Sequence, residues 1–505
     1  MSYQKTSLSI QHLSFKYPEA TEALFSDLSA SFSTGWTGIV GPNGSGKSSL
    51  LHLVNGDLTT DTGHVIRPEL VRTVQQRTDS PPHTLNLLAD PGDASVWHWR
   101  SRLGIQPDWF DRWSTLSHGE RKRLQLANAL VADPDVLVLD EPDNHLDTPT
   151  RDMLLKALMD YTGIGLIVSH DRHLLDNLCS YTLFLRTGQA DLRPGGYSAA
   201  KVEFDREQLE LLRQRESLRK EERKLQRELQ RRTRETDRSA GKRSRKHLAR
   251  GDSDGRAKIG LAILSGKDAT AGRLKRRMAD RVEKIRDHRL SVPIEKVHPS
   301  GIHIDGGSGH RHILIDEKAG SLHLGESFSM SWPDLTLRRG QRIALTGPNG
   351  SGKSQLLHHI METNTLAESE ILYMPQEIPL TEGSRLLNQL HDLKPEAMSL
   401  ALAIVRRLGS DPEALLQGDV ISPGESRKLL LALGMSRECS LLVLDEPTNH
   451  LDLQAIACLE EALLEWPGGI LLVSHDRSMV SRVVQTVWRL KNDKQGKRGT
   501  ILTIT

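Results

Sequence analysis

The octapeptide Gly41-Pro42-Asn43-Gly44-Ser45-Gly46-Lys47-Ser48 returns letter for letter as Gly347-Pro348-Asn349-Gly350-Ser351-Gly352-Lys353-Ser354. Each copy follows a short apolar run, Ile39-Val40 or Ile343–Leu345, and precedes a helical pattern. That strand, loop and helix order is the context a phosphate-binding loop requires. Glycines let the backbone curl so that its N–H groups point inward at the β- and γ-phosphates of a nucleotide, and the helix N-terminus adds its own partial charge. Lys47 and Lys353 add a point charge, while the hydroxyls of Ser48 and Ser354 suit Mg²⁺. A loop of this length, present twice, predicts ATP and Mg²⁺ as cofactors.

Working outward, three further segments recur in nearly the same register. VLVLDEP at Val136 becomes LLVLDEP at Leu441, NHLD at Asn144 returns at Asn449, and SHD at Ser169 returns at Ser474, the last two displaced by 305 positions. Two copies of one domain of about 200 residues explain this, whereas a solenoid would repeat every 20 to 50 residues. Short buried runs alternating with helical patterns make each copy an α/β domain with a mainly parallel sheet. Val136–Leu139 and Leu166–Val168 read as strands in the first copy, with Leu441–Leu444 and Ile470–Val473 in the second. Each leads at its C-terminal end into a polar motif, where ligands bind in open α/β sheets.

Asp140 and Asp445 end apolar strands, where a carboxylate can hold the Mg²⁺ shell. The adjoining Glu141 and Glu446 are the natural general bases for orienting an attacking water. The Ser-His-Asp triplets are not protease triads, because three adjacent side chains cannot converge as that geometry demands.

Composition bounds the rest. The chain has 505 residues, 37% hydrophobic and 26% charged, and no run of about twenty apolar residues that would span a bilayer. Met1–Ile10 lacks the features of a secretory signal, so a soluble cytoplasmic protein without direct membrane insertion is expected. Three cysteines without paired spacing argue against a disulfide framework or a zinc site. The net charge of +2 hides an asymmetry: Lys201–Leu290 carries 29 basic against 16 acidic residues, a surplus of 13. Such an element suits a polyanion. Its text is rich in Arg, Glu, Gln and Leu, and Phe204, Leu211, Leu218, Leu225 and Leu229 recur at roughly heptad spacing. One helix of about forty residues is expected, then a break over Gly251–Gly272 and a resumed helix over Arg273–Arg289, forming a helical hairpin. The apolar run Leu261–Leu264 marks its tip, between Gly255 and Gly266.

Taken together, the motifs resemble the ATP-binding cassette ATPases over both copies. The resemblance implies that LSHGE at Leu116 and ISPGE at Ile421 are signature loops, whose Ser117, Gly119, Ser422 and Gly424 cap the γ-phosphate bound by the opposite cassette. It makes Gln76 and Gln376 the Q-loop glutamines that touch Mg²⁺ and the lytic water. It makes His170 and His475 the switch histidines, and Asp147 and Asp452 the ends of the D-loops. Tyr17 takes the place of the aromatic that stacks on adenine, with His323 and Trp332 as candidates in the second copy. His118 and Pro423 stand where the signature usually has glycine, and Asp143 stands where the second copy has Thr448.

Within that superfamily, EPDNHLD at Glu141 and EPTNHLD at Glu446, with the basic linker, resemble the ABC-F group. The implied architecture is two ABC-type P-loop ATPase domains at 1–197 and 298–505, joined by a helical-hairpin linker at 198–297. The implied function is ATP hydrolysis with ATP-dependent binding to the ribosome, its rRNA and tRNA met by the linker, as a translation factor or an antibiotic-resistance factor. A monomer pairing its own two cassettes is expected. Arg231–Arg250 carries nine basic residues against two acids, too dense for balanced i,i+4 pairing and suited to RNA phosphates. The alternative is the duplicated ATPase subunit of a membrane importer, which has no need of such a linker.

Overall fold

The computed structural model describes the chain except residues 1–6, 83, 86, 87, 89–91, 187, 243–266, 293–310, 325–327, 380, 418–420, 438 and 493–498. The expected hairpin tip and four of the nine basic residues of Arg231–Arg250, namely Arg243, Arg245, Lys246 and Arg250, lie outside the described residues. The chain forms two compact units, one of Met1–Ala200 with His298–Thr505 and one of Lys201–Val297.

In the first unit both copies build the same central sheet. The first copy orders its strands Val71–Val74, Val136–Asp140, Ile164–Val168, Gly35–Val40, Cys179–Arg186 and Gln189–Pro194, the first five parallel. The second copy repeats the parallel core as Ile371–Met374, Leu441–Asp445, Gly469–Val473, Arg342–Thr346 and Thr486–Asn492. The central strands are buried on both faces, which is why they read as continuous apolar runs instead of an alternation. On one side of the first sheet Leu50, Leu51 and Val54 of the helix Lys47–Asn55 pack against Val138 and Leu166. Leu356, Leu357 and Ile360 do the same in the second copy against Val443 and Leu471.

Register carries the functional motifs to one edge. Asp140 pairs with Val168, as Ile39 does, and Asp445 pairs with Val473. The residues just beyond those ends, Gly41, Glu141 and His170, therefore emerge side by side, as do Gly347, Glu446 and His475.

The second unit contains most of a long helix, Tyr197–Lys242, and a second helix, Lys267–Ser291. At about 1.5 Å per residue the 46 residues of the first span roughly 70 Å. The two helices meet through Glu222 and Arg289 at 2.8 Å and through Glu221 and Arg281 at 3.5 Å. Along the heptad-spaced positions Phe204 is buried, and Leu211, Leu218, Leu225 and Leu229 are half-buried.

Candidate active site

Each phosphate loop ends in a glycine that no side-chain-bearing residue would replace cheaply. Gly46 and Gly352 both sit at φ +93° immediately before their helices, a left-handed conformation that favours glycine. The turn brings Lys47 back over the loop, where its ammonium donates to the carbonyls of Gly41 at 2.9 Å and Pro42 at 3.0 Å. Lys353 repeats this to Gly347 at 2.9 Å and Pro348 at 3.1 Å. Burial lowers the pKa of both ammonium groups, although nearby carboxylates oppose it. The hydroxyls of Ser45 and Ser351, inside the same curls, are buried and make no protein hydrogen bond.

At the strand ends, Ser354 donates to the Asp445 carboxylate at 3.0 Å, and Ser48 bonds Asp140 in the same way. A hydroxyl beside a carboxylate, both hard oxygen donors, fits Mg²⁺. Burial pushes both aspartates above the usual carboxylate range, and a bound cation would reverse that. Orphaned loop hydroxyls and paired oxygen donors together fit a Mg²⁺ nucleotide.

The two glutamates occupy strained backbone, with φ +47° at Glu141 and +49° at Glu446, in the left-handed region uncommon for residues with a Cβ. Their N–H groups are tied to Val168 and Val473 at 2.9 and 2.8 Å. Beyond that the sites diverge. Glu141 accepts from Gln76 at 2.6 Å and from Asn144, and lies 3.4 Å from Nε2 of His170. Burial acts to raise its pKa, but the His170 contact and Lys47 outweigh it and hold Glu141 below its ordinary value. Among the described residues Glu446 accepts only the backbone N–H of His475, at 3.3 Å, and its Oε1, 3.6 Å from Nε2 of His475, is buried without a hydrogen bond. Burial pushes it up to about 7. Burial also drives His475 down to about 3, so its ring is neutral between Thr148, at 3.5 Å, and Asn349, at 3.2 Å.

The copies complete each other's loops. Asp147 accepts the backbone N–H of Asn349 at 3.1 Å, and the Asn349 amide donates to the carbonyl of His145 at 3.1 Å. Reciprocally, Asp452 accepts from the backbone of Asn43 at 3.0 Å, and the Asn43 amide reaches the carbonyl of His450 at 2.9 Å. Both aspartates also cap their own helices, accepting from Thr150 at 3.1 Å and Ala455 at 2.8 Å. Between the copies opens a cavity of about 370 Å³, whose wall combines Lys353, Ser354, Gln376, Asp445, Glu446 and His475 with His145, Leu146 and Arg151 of the first copy.

Ser117 and Gly119 are not in that wall. Ser117 instead closes a capping box with Glu120, and Ser422 caps its helix through Glu425 at 3.2 Å, so in this arrangement both serines serve their own helices. Gly424 lies against the carbonyl of His450. Tyr17 stands beside the first phosphate-loop helix, its hydroxyl 2.8 Å from Ser49. Trp332 is buried in the core and donates to the carbonyl of Lys318, which removes it as an adenine platform, while His323 remains exposed.

Three groups escaped the sequence reading. Arg151 of the first copy lines the cavity at the second copy's phosphate loop, held by Asp171 and the Leu146 carbonyl at 3.0 Å each. Lys122 and Arg427 lie fully buried behind the glutamines. Their signal, a cation five residues after each signature serine, is hidden in a run that reads as surface charge.

Comparison with known proteins agrees with this geometry. The family model described as ABC transporter matches residues 25–144 and 332–449. The chain is 28% identical to the ribosome protection protein VmlR of Bacillus subtilis, over 97% of this chain and 87% of that protein. It is 27% identical to the energy-dependent translational throttle protein EttA of Mycobacterium tuberculosis, over 94% of this chain and 90% of the other. Among solved structures the RNase-L inhibitor matches with a TM-score of 0.63 at 17% identity, covering 98% of this chain and 90% of that one, which shows the shared fold.

Proposed function

Because the chain belongs to the ABC-F ATPases, tandem cassettes that hydrolyse ATP, we propose that ATP closes its two cassettes on each other and that the closed form binds the ribosome through the basic linker. The observation that carries this is the reciprocal grip of Asp147 on Asn349 and Asp452 on Asn43, which makes each phosphate loop depend on the opposite cassette. Relatives named as a ribosome protection protein and a translational throttle supply the partner class, and the linker's surplus of 13 positive charges supplies the chemistry for RNA phosphates. No helix among the described residues is long and apolar enough to cross a membrane. The chain acts as a monomer in this reading.

Lys47 and Lys353 leave their own loop carbonyls to meet the phosphates, joined by the N–H groups of Gly44 to Ser48 and Gly350 to Ser354. Ser48 with Asp140 and Ser354 with Asp445 would hold Mg²⁺, which when bound neutralises phosphate charge. Gln76 and Gln376 would add their side-chain oxygens to that set. Glu141, ionised and fixed by Gln76 and Asn144, accepts the proton of the attacking water, and Glu446 does so at the second site. His170 and His475 stand beside Glu141 and Glu446, at 3.4 and 3.6 Å, where an imidazole N–H can donate to the γ-phosphate. Ser117, Gly119, Ser422 and Gly424 reach the opposite site on further closure, exchanging a helix-capping role for a phosphate contact.

The test is sedimentation with purified ribosomes of the Glu141→Gln, Glu446→Gln double variant in ATP and in ADP. It should bind ATP, fail to hydrolyse it, and pellet with ribosomes in ATP only. Equal pelleting in both nucleotides, or none in either, overturns the proposal.

A further inference from the structure

The helix that opens at each signature loop buries a cation at the same place in its first two turns. Lys122, on His118–Val131, and Arg427, on Pro423–Met435, each follow the capping serine by five residues, and each is 1% exposed. A buried charge is costly to desolvate, and aliphatic residues such as Leu124, Leu126 and Leu429 are buried close by on the same helices; Lys428, buried beside Arg427, is met by Ser410 at 3.0 Å and Glu425 at 3.3 Å and does not reach the Q-loop. Packing alone therefore does not call for a cation at either place.

Both side chains spend their donors on the backbone of the Q-loop. The Lys122 ammonium donates to two consecutive carbonyls, Gln75 at 2.6 Å and Gln76 at 3.0 Å. One guanidinium arm of Arg427 donates to the carbonyl of Gln376 and the other to the carbonyl of Glu446 at 2.9 Å. The choice of residue follows the task. Adjacent carbonyls on one loop can share a compact ammonium, whereas carbonyls on two separate loops need the arginine fork. In the first cassette the linkage continues, because the Gln76 amide donates to the Glu141 carboxylate at 2.6 Å. In the second it reaches the left-handed peptide of Glu446 directly.

We propose that Lys122 and Arg427 are positioning residues that tether each Q-loop, and with it the hydrolytic glutamate, to the helix bearing the signature loop. The tether makes the orientation of Gln76 and Glu141 in one site depend on the position of a helix whose N-terminus serves the other site. This rests on the reading of Gln76 and Glu141 given above. Movement of a signature helix toward the opposite phosphate loop then drags the Q-loop carbonyls with it, so closure at one site tunes hydrolysis at its neighbour.

The experiment uses steady-state ATPase kinetics on the full chain. Lys122→Met and Arg427→Met keep a long apolar stem while removing the donors. Each should lower kcat about tenfold while the KM for ATP changes less than twofold, because the phosphate loops are untouched. Lys122→Arg should retain most of the rate. Arg427→Lys should recover only part, because an ammonium reaches one of the two separated loops. A double-mutant cycle separates positioning from packing: combined with Gln76→Ala, Lys122→Met should cost nothing further. Full kcat in the Met variants, or additive losses in the cycle, would overturn the tether. Should a Met variant fail to fold, Arg427→Lys decides, since a wild-type kcat in that folded protein sinks the proposal. Gln76→Ala alone separates the two readings. An undiminished rate there removes the assigned role of Gln76, whereas a low rate alongside a normal Lys122→Met removes only the tether.

Discussion

Arg172 of the first cassette meets Glu460 of the second, its Nη1 lying 3.0 and 3.1 Å from the two carboxylate oxygens. Glu460 has no solvent exposure and also accepts from Arg482 at 2.9 Å, so one buried carboxylate joins two guanidinium groups from opposite cassettes. Arg477, which follows His475 by two residues as Arg172 follows His170, also crosses between cassettes. It meets the exposed Asp152 at 2.6 Å.

Glu460→Ala should therefore destabilise the tandem by about 3–5 kcal/mol, because it leaves Arg172 facing a dry interface without its counter-charge. Asp152→Ala, at an exposed pair, should cost less than about 1 kcal/mol. Chemical denaturation of the two variants side by side checks the ordering, and equal losses would contradict it.

Asp143 gives a stability that depends on pH. It is buried, its Oδ1 has no hydrogen-bond partner, and burial raises its pKa to about 6, although Arg151 opposes this. In the unfolded chain it ionises near about 4. Between those values the folded state holds a proton that the unfolded state has released, so stability falls as pH rises from about 4 through 6. Asp143→Thr, which copies Thr448 of the second cassette, should raise the melting temperature at pH 8, by on the order of 1–3 kcal/mol in stability. The advantage should vanish as the pH is taken down to about 4. A gain that persists there would have another origin.

Asp147 and Asp452 combine two duties that substitution can separate. Asparagine retains the capping oxygen but removes the charge offered to the opposite loop. Asp147→Asn and Asp452→Asn should leave thermal stability within about 1 kcal/mol and lower ATP turnover severalfold. Alanine should reduce both. Melting curves recorded beside turnover numbers test the separation.

For the linker, changing Arg231, Arg232 and Arg234 to Glu should weaken ribosome binding and flatten its dependence on salt. Every RNA phosphate that the linker no longer neutralises takes roughly 0.7–0.9 off the slope of log affinity against log salt. ATP turnover without ribosomes should stay within twofold. Affinity and slope both equal to wild type would make the linker a spacer.

Much of this protein was legible in the text of the chain. The duplicated loops, the strand-end carboxylates and the Ser-His-Asp triplets are short local motifs, and a parallel sheet forces them to one edge because each follows a buried strand. The linker helices declared themselves through Leu211, Leu218 and Leu225 and an absence of breakers. What the sequence hid were relationships between distant segments. Asn43 and Asp452 are 409 residues apart, and nothing local marks them as partners. The Lys122 and Arg427 pair was masked because each lies in a run of charged residues, and periodicity separates core from surface only for apolar residues. The difference between Glu141 and Glu446 was equally invisible, because it lies in side-chain partners and not in residue type.

The reciprocal loop contacts have one further consequence, because both halves belong to a single polypeptide. Separate ATPase subunits find each other by diffusion, so the fraction with complete sites falls on dilution. Here each half is a permanently tethered ligand of the other, at an effective concentration set by the connecting segment. For the monomer proposed above, assembly of the sites is then a first-order event, and the rate per molecule should be independent of how much protein is present. Dilution that would disassemble a pair of separate subunits should leave its specific activity unchanged.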